Sequence, residues 1–152
     1  NRRYDIFQGS ASFGYLGGTE ESPFSKGTLA WRGRWLDSFR LGVTFQGFTS
    51  KLNDAVRLPV RGFEDLQGAN MATARGELER NLITIQRGHY LPVDSLKGRL
   101  FVDYGAAWND FASWKQSFGG ELGLVTGLGE IVLGITYPQG RERRVYFELR
   151  GL

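Results

Sequence analysis

The feature that most limits how this chain can fold is alternation with a period of two. Helical spacing of apolar residues is nearly absent, while segment after segment switches apolar and polar residues, the mark of strands with two unlike faces. In "FQGSASFGY", Phe7, Gly9, Ala11, Phe13 and Tyr15 share one face, with Gln8, Ser10, Ser12 and Gly14 on the other. "TLAWRGRWL" sets Leu29, Trp31, Gly33 and Trp35 against Ala30, Arg32 and Arg34. After a tight turn at Asp37 and Ser38, "FRLGVTFQGF" sets Phe39, Leu41, Val43 and Phe45 against Arg40, Gly42, Thr44 and Gln46. A long loop over about residues 50 to 70 interrupts the series. A fourth strand over about 72 to 86 then puts Ala72, Ala74, Gly76 and Leu78 opposite Thr73, Arg75, Glu77 and Glu79. "LKGRLFVDYGAAW", a segment near 116 to 126, "IVLGITY" and "RRVYFELRG" complete a set of about eight strands joined by hairpin-like links.

Composition removes several classes. A length of 152 residues suits one domain. The absence of cysteine excludes disulfides, thiol catalysis and thiolate metal sites. The single histidine, His89, lies in the connection "RGHYLPVD" without a nearby ligand set, so neither metal nor cofactor is implied. The net charge of +3 is spread among acidic residues without a basic patch, which argues against a nucleic-acid partner. No apolar run approaches the roughly 18 residues of a membrane helix. The opening "NRRYDIFQG" reads as a start in mid-strand. "GGTEESP" is an acidic loop expected to be solvated, and no G-x-S-x-G motif or triad spacing indicates an enzyme.

An up-and-down all-β meander fits a soluble barrel with an apolar interior, or a transmembrane barrel with the polarity inverted. Alternation alone does not separate inside from outside. Three features favour the membrane barrel. Charges and glycines sit at mid-strand on the polar faces (Arg32, Arg34, Glu77, Asp103, Glu121). Aromatics stand near strand ends on the apolar faces (Tyr15, Trp31, Trp35, Phe39, Tyr104, Trp108, Tyr137), as an interfacial girdle would. Short and long connections alternate. The turn at Asp37 and Ser38 then marks one side of a membrane and the long loop the other. Within that loop Arg61 has two readings: a solvated arginine beside a turn glycine, or a cation carried to the barrel wall. Arg32, Arg34 and Arg40 are expected to line the lumen, either as wetting groups or as an anion-attracting pore.

"VRGFEDLQGANMATARGELERNL", "RLFVDYGAAW" and "GGELGLVTGLGEIVLGITYPQG", closing on "YFELRGL", resemble the C-terminal part of the BamA/TamA-type barrels of the outer-membrane protein 85 superfamily, the bacterial surface antigens. The likeness runs from about residue 56 to the end, in the family's order. The family's periplasmic POTRA domains and the first half of its barrel have no counterpart here, and the chain closes on Leu152 where members often carry an aromatic. The resemblance implies that these strands are the last eight of a sixteen-stranded barrel in the bacterial outer membrane, which inserts or translocates client polypeptides and is not an enzyme. It also implies that Val60, Arg61, Gly62 and Phe63 form the tip of a loop folded back into the lumen, with Arg61 meeting Asp103, Glu77 and the wall around Gly105. The residues suit that role. Two carboxylates on neighbouring strands repel unless a cation joins them, and arginine offers a planar fork of donors. The implied partners are the lipid bilayer, a client, and either the missing N-terminal half or a second copy of the chain, since an unpaired last strand is untenable in lipid. The alternatives are a barrel that anchors or exports a fused lipase-like domain, and a small eight-stranded pore or lipid enzyme.

Overall fold

A computed structural model of the chain describes residues 6–16, 22–35, 38–53, 55–84 and 93–151. The alternating segments become β1 (Ile6–Leu16), β2 (Ser22–Trp35), β3 (Phe39–Ser50), β6 (Asn70–Thr84), β7 (Val93–Trp108), β8 (Lys115–Thr126), β9 (Gly129–Pro138) and β10 (Arg144–Arg150). The long loop between β3 and β6 carries a two-residue ladder, β4 (Val56–Arg57) with β5 (Gln67–Gly68). The chain is all-β, and its large strands form one antiparallel sheet of eight in the order β1-β2-β3-β6-β7-β8-β9-β10. The sheet is not closed: among the described residues, β1 and β10 each have one neighbour.

Strand bounds differ most at β2, which starts at Ser22 although alternation is readable only from Thr28. Ser25, Lys26 and Gly27 break the pattern, yet Phe24 pairs with Ser50 and stacks on Phe48 at 5.7 Å, so pairing overrides local pattern. The fourth large strand likewise begins at Asn70 and the fifth at Val93. Asp37, Glu20, Glu21, His89 and Leu152, and the side chains of Tyr15 and Trp35, lie outside the described residues.

Register sorts the side chains onto two faces. One set of cross-strand rows runs Arg34, Arg40, Glu79, Arg99, Glu121 and Gly134, and the neighbouring row runs Gly42, Glu77, Phe101, Gly119 and Thr136. The intervening rows carry Leu41, Leu78, Leu100 and Ile135, or Phe39, Arg80, Leu122 and Leu133. The charged face is the covered one: Asp103 and Glu121 are buried. The apolar face is open, with Phe7, Phe13, Leu29, Phe45, Leu100, Leu133 and Phe147 each more than half exposed. This polarity is the reverse of a sheet packed on an apolar core in water.

The long loop covers the charged face. Leu58, Val60 and Phe63 are fully buried and cluster with Met71, against Phe48, Val56, Leu66 and Ala107. Phe48, Met71 and Ala107 have the same strand parity as the charges, so the charged face ends in an apolar patch at the loop side. Burying each loop side chain there contributes about 1.5–3 kcal/mol, which draws the loop inward over the sheet.

Candidate functional site

The site is built where the loop tip meets the wall. Pro59 and Gly62 shape the tip. Phe63 donates its backbone N–H to the Val60 carbonyl at 2.9 Å, Leu66 donates to Phe63 at 3.0 Å, and Leu58 donates to Leu66 at 2.9 Å, so the tip is a closed, self-bonded turn. Gly62 has φ +87°, a conformation that side chains rarely adopt, and an added Cβ would strike the Pro138 ring. The base is fixed by Ser50 N–H to the Ala69 carbonyl at 2.9 Å and by Ala69 N–H to the Asn109 side-chain oxygen at 2.8 Å.

Arg61 leaves this tip with its side chain 10% exposed. Its Nη2 donates to Glu77 at 2.8 Å, its Nε stands 3.5 Å from Glu121 and 3.8 Å from Asp103, and its backbone N–H donates to Asp103 at 3.2 Å. The guanidinium lies over the Phe101 ring, 3.6 Å from the centroid, a cation–π contact in a water-poor setting. Three carboxylates from β6, β7 and β8 thus converge on one arginine. Gly105 forms the floor beside them. A Cβ there would come within 3.1 Å of Val60 Cγ2 and 2.7 Å of Thr73 Cγ2, so glycine leaves the room into which Val60 packs.

Asp103 and Glu121 have further partners. Asp103 receives Arg75 Nε at 2.8 Å, and Arg75 also donates to the Pro59 carbonyl at 2.8 Å, tying wall to loop. Glu121 receives both Arg150 terminal nitrogens at 2.9 Å and the Tyr146 hydroxyl at 2.6 Å. Arg99 bridges Glu79 at 2.8 Å and Glu130 at 2.6 Å, with Lys97 and Arg40 also drawn to Glu79. Charge-assisted bonds of this kind are the strong ones, and buried carboxylates need them. A cavity of about 850 Å³ lies between the tip, Arg75 and Glu77 of β6, Thr136 of β9, and Tyr146 and Arg150 of β10. The sheet therefore curves around the loop.

The structure brings together Val60, Arg61, Gly62, Phe63, Glu77, Asp103 and Gly105. It does not bring Arg32, Arg34 or Arg40 to the tip. They share the charged face but lie on the rows of β2 and β3, exposed, with Arg40 3.5 Å from Glu79. Sequence reasoning missed the second anchor. Arg141, in the β9–β10 connection, donates to the Gly62 carbonyl at 2.9 Å and to both Asp65 oxygens at 2.6 and 3.0 Å, and stands 4.6 Å above the Phe63 ring. The roles of Glu121, Tyr146 and Arg150 as a group also came only from the register. Among the described residues, no group of His, Cys, Asp and Glu side chains is arranged to hold a metal ion.

No protein-family model, curated protein or solved structure matches the chain.

Arg61→Ala leaves Glu77 without the guanidinium bonded to it, while Arg75, Arg99 and Arg150 still serve Asp103 and Glu121. A loss of about 3 kcal/mol is expected, the low end for breaking a buried pair. Denaturant unfolding of the folded chain measures it. Combined with Glu77→Ala, the loss should fall short of the sum of the singles; strict additivity would mean that the two do not interact.

The Asp65 carboxyl is held below its ordinary value of 3.8, first by the hydrogen bond from Arg141 and further by the Arg141 and Arg144 charges. A depressed folded pKa stabilises above the unfolded value and loses that effect as pH falls through the folded one. Hydrogen-exchange protection at the Phe63 and Leu66 amides should hold at neutral pH and decline below about pH 3.8, the ordinary aspartate value. In Asp65→Asn, part of that protection should be missing already at pH 7. Identical pH profiles for the two proteins would rule the tether out.

Proposed function

We propose that the chain forms part of a transmembrane barrel of the bacterial outer membrane, of the BamA/TamA type, that inserts or translocates polypeptides. The observation that carries this reading is the inverted polarity. The charged face is covered by a loop whose arginine joins three strands, while the apolar face is open. A bilayer is the surroundings in which such an open face is stable. The residues that seat Arg61 are also those through which the sequence resembles the family.

An open sheet edge is untenable in lipid, so β1 and β10 need partners. In this reading further strands of the same kind of barrel, or a second copy of the chain, supply them. An eight-stranded barrel is filled by its own side chains. A twenty-residue-scale loop and a cavity of about 850 Å³ over the same face support a wider one. In this mechanism the seam beside β10 opens, and the exposed edge templates a client strand by β-augmentation. The pinned loop keeps the wall in one arrangement while the seam moves.

The direct test is the subunit content of the folded species. Purified in detergent and weighed by native mass spectrometry, the chain should appear as two copies or with a second polypeptide, and imaging should show a barrel wider than eight strands. A closed monomer with the loop outside would contradict the proposal.

A further inference from the structure

The apolar face carries one feature that a uniform lipid-facing surface lacks. Gly98 of β7 and Gly120 of β8 sit on adjacent rows of that face, Gly98 between Arg80 and Leu122, and Gly120 between Leu100 and Ile135. An oblique trough of about 660 Å³ runs past them, open over Gly120 and bordered at Gly98 by Leu82, which leans over that glycine, with Phe39, Leu100, Leu122, Leu133 and Ile135 as its other walls. Arg80 stands at one end. Its guanidinium lies over the Phe39 ring, 5.1 Å from the centroid, a cation–π contact that holds the charge at this end of the trough. Arg80 is exposed, on a face whose described mid-strand residues are otherwise apolar or small.

The trough also has a direction. At its Arg80 end, Phe39 is next to the β2–β3 turn at Ser38. At the far end, Leu122 and Leu133 stand well before the β8–β9 turn at Gly127 and Leu128, roughly 15 Å away at about 3.3 Å per residue. Phe39, Arg80, Gly98, Leu122 and Leu133 form one cross-strand row that starts beside the β2–β3 turn, so the cation stands at the end of the trough next to that turn, four residues inside the end of β6, and the far end is apolar. That is the order of parts in a phospholipid.

We propose that this trough is a phospholipid site, with an acyl chain against Leu82 and over Gly120 and the phosphate on Arg80. The proposal rests on the membrane-spanning reading above. Between apolar surface and lipid tails there is no hydrophobic gain to be had, so selection comes from the shape of the trough and from the cation. An arginine fork matches a phosphate with paired donors. The site lies on the reverse side of β6, β7 and β8, the strands that carry Glu77, Asp103 and Glu121.

The test uses the whole chain in detergent, titrated with a diacyl phosphatidylglycerol and read by native mass spectrometry. The unaltered chain should retain one lipid. Arg80→Gln should weaken retention about fivefold, the effect of one arginine near an anionic lipid surface. Gly120→Leu should also weaken it by filling the trough; the nearest heavy atom to a Cβ there is at 3.5 Å, so the fold accepts the side chain. Heat-modifiable gel migration should be unchanged in both. Equal retention by all three proteins, in a chain that partitions into vesicles, would overturn the site alone. Failure of the unaltered chain to partition would overturn the membrane reading and the site with it.

Discussion

Asp103 and Glu121 are buried carboxylates on neighbouring strands, and the charged face is organised by the need to keep cations against them. An unpaired buried carboxylate costs several kcal/mol, and two near each other cost more. From the sheet itself Arg75 serves Asp103, and Arg150 and Arg99 serve Glu121, while Arg61 reaches both acids and Glu77 from outside it. Because that shared cation arrives on a loop, the electrostatics of the wall and the conformation of the loop are a single problem. Removing the loop would expose its apolar residues and leave the wall short of positive charge at one stroke.

The loop is held by two kinds of force acting at different heights. Near the strand ends, Leu58, Val60 and Phe63 pack on Phe48, Met71 and Ala107. Deeper along the strands, the contacts are ionic. The first kind is tolerant of small shifts and the second is directional. Together they fix both that the loop lies inward and where its tip stops. Arg141 adds a third hold from the last hairpin, which also contributes the edge strand β10. Tip and edge are thereby mechanically joined, a connection that matters to any function in which that edge opens.

Much of this was readable in the residues. Period-two alternation marked eight strands in sequential order, and strand parity alone put Glu77 and Asp103 on one face. Phe101 shares that strand parity, and the Arg61 guanidinium over its ring gives an aromatic on the polar face its partner. The orientation of the faces in a membrane rests on mid-strand charges, girdle-like aromatics and alternating connection lengths, and the family on resemblance alone. What the sequence hid depends on register. Glu121 was visible as a mid-strand charge, but its meeting with Tyr146 and Arg150 requires the β8–β9 and β9–β10 pairings together. Arg141 sits in a charged connection, "PQGRERR", where one arginine looks like the next. Only the curvature of the sheet brings it to Asp65. The start of β2 was hidden for a related reason: its first residues gain strand structure from Phe48 and Ser50 of β3 and carry little local signal.

The central claim is that the Arg61 tip is held on the wall in the folded chain. Limited trypsin digestion of the folded chain, with fragments identified by mass, tests it most directly. The Arg61–Gly62 bond is buried on both sides, so the account predicts that it survives while exposed basic sites such as Arg143 and Arg144 are cut. Cleavage after Arg61 as fast as in the denatured chain would contradict it.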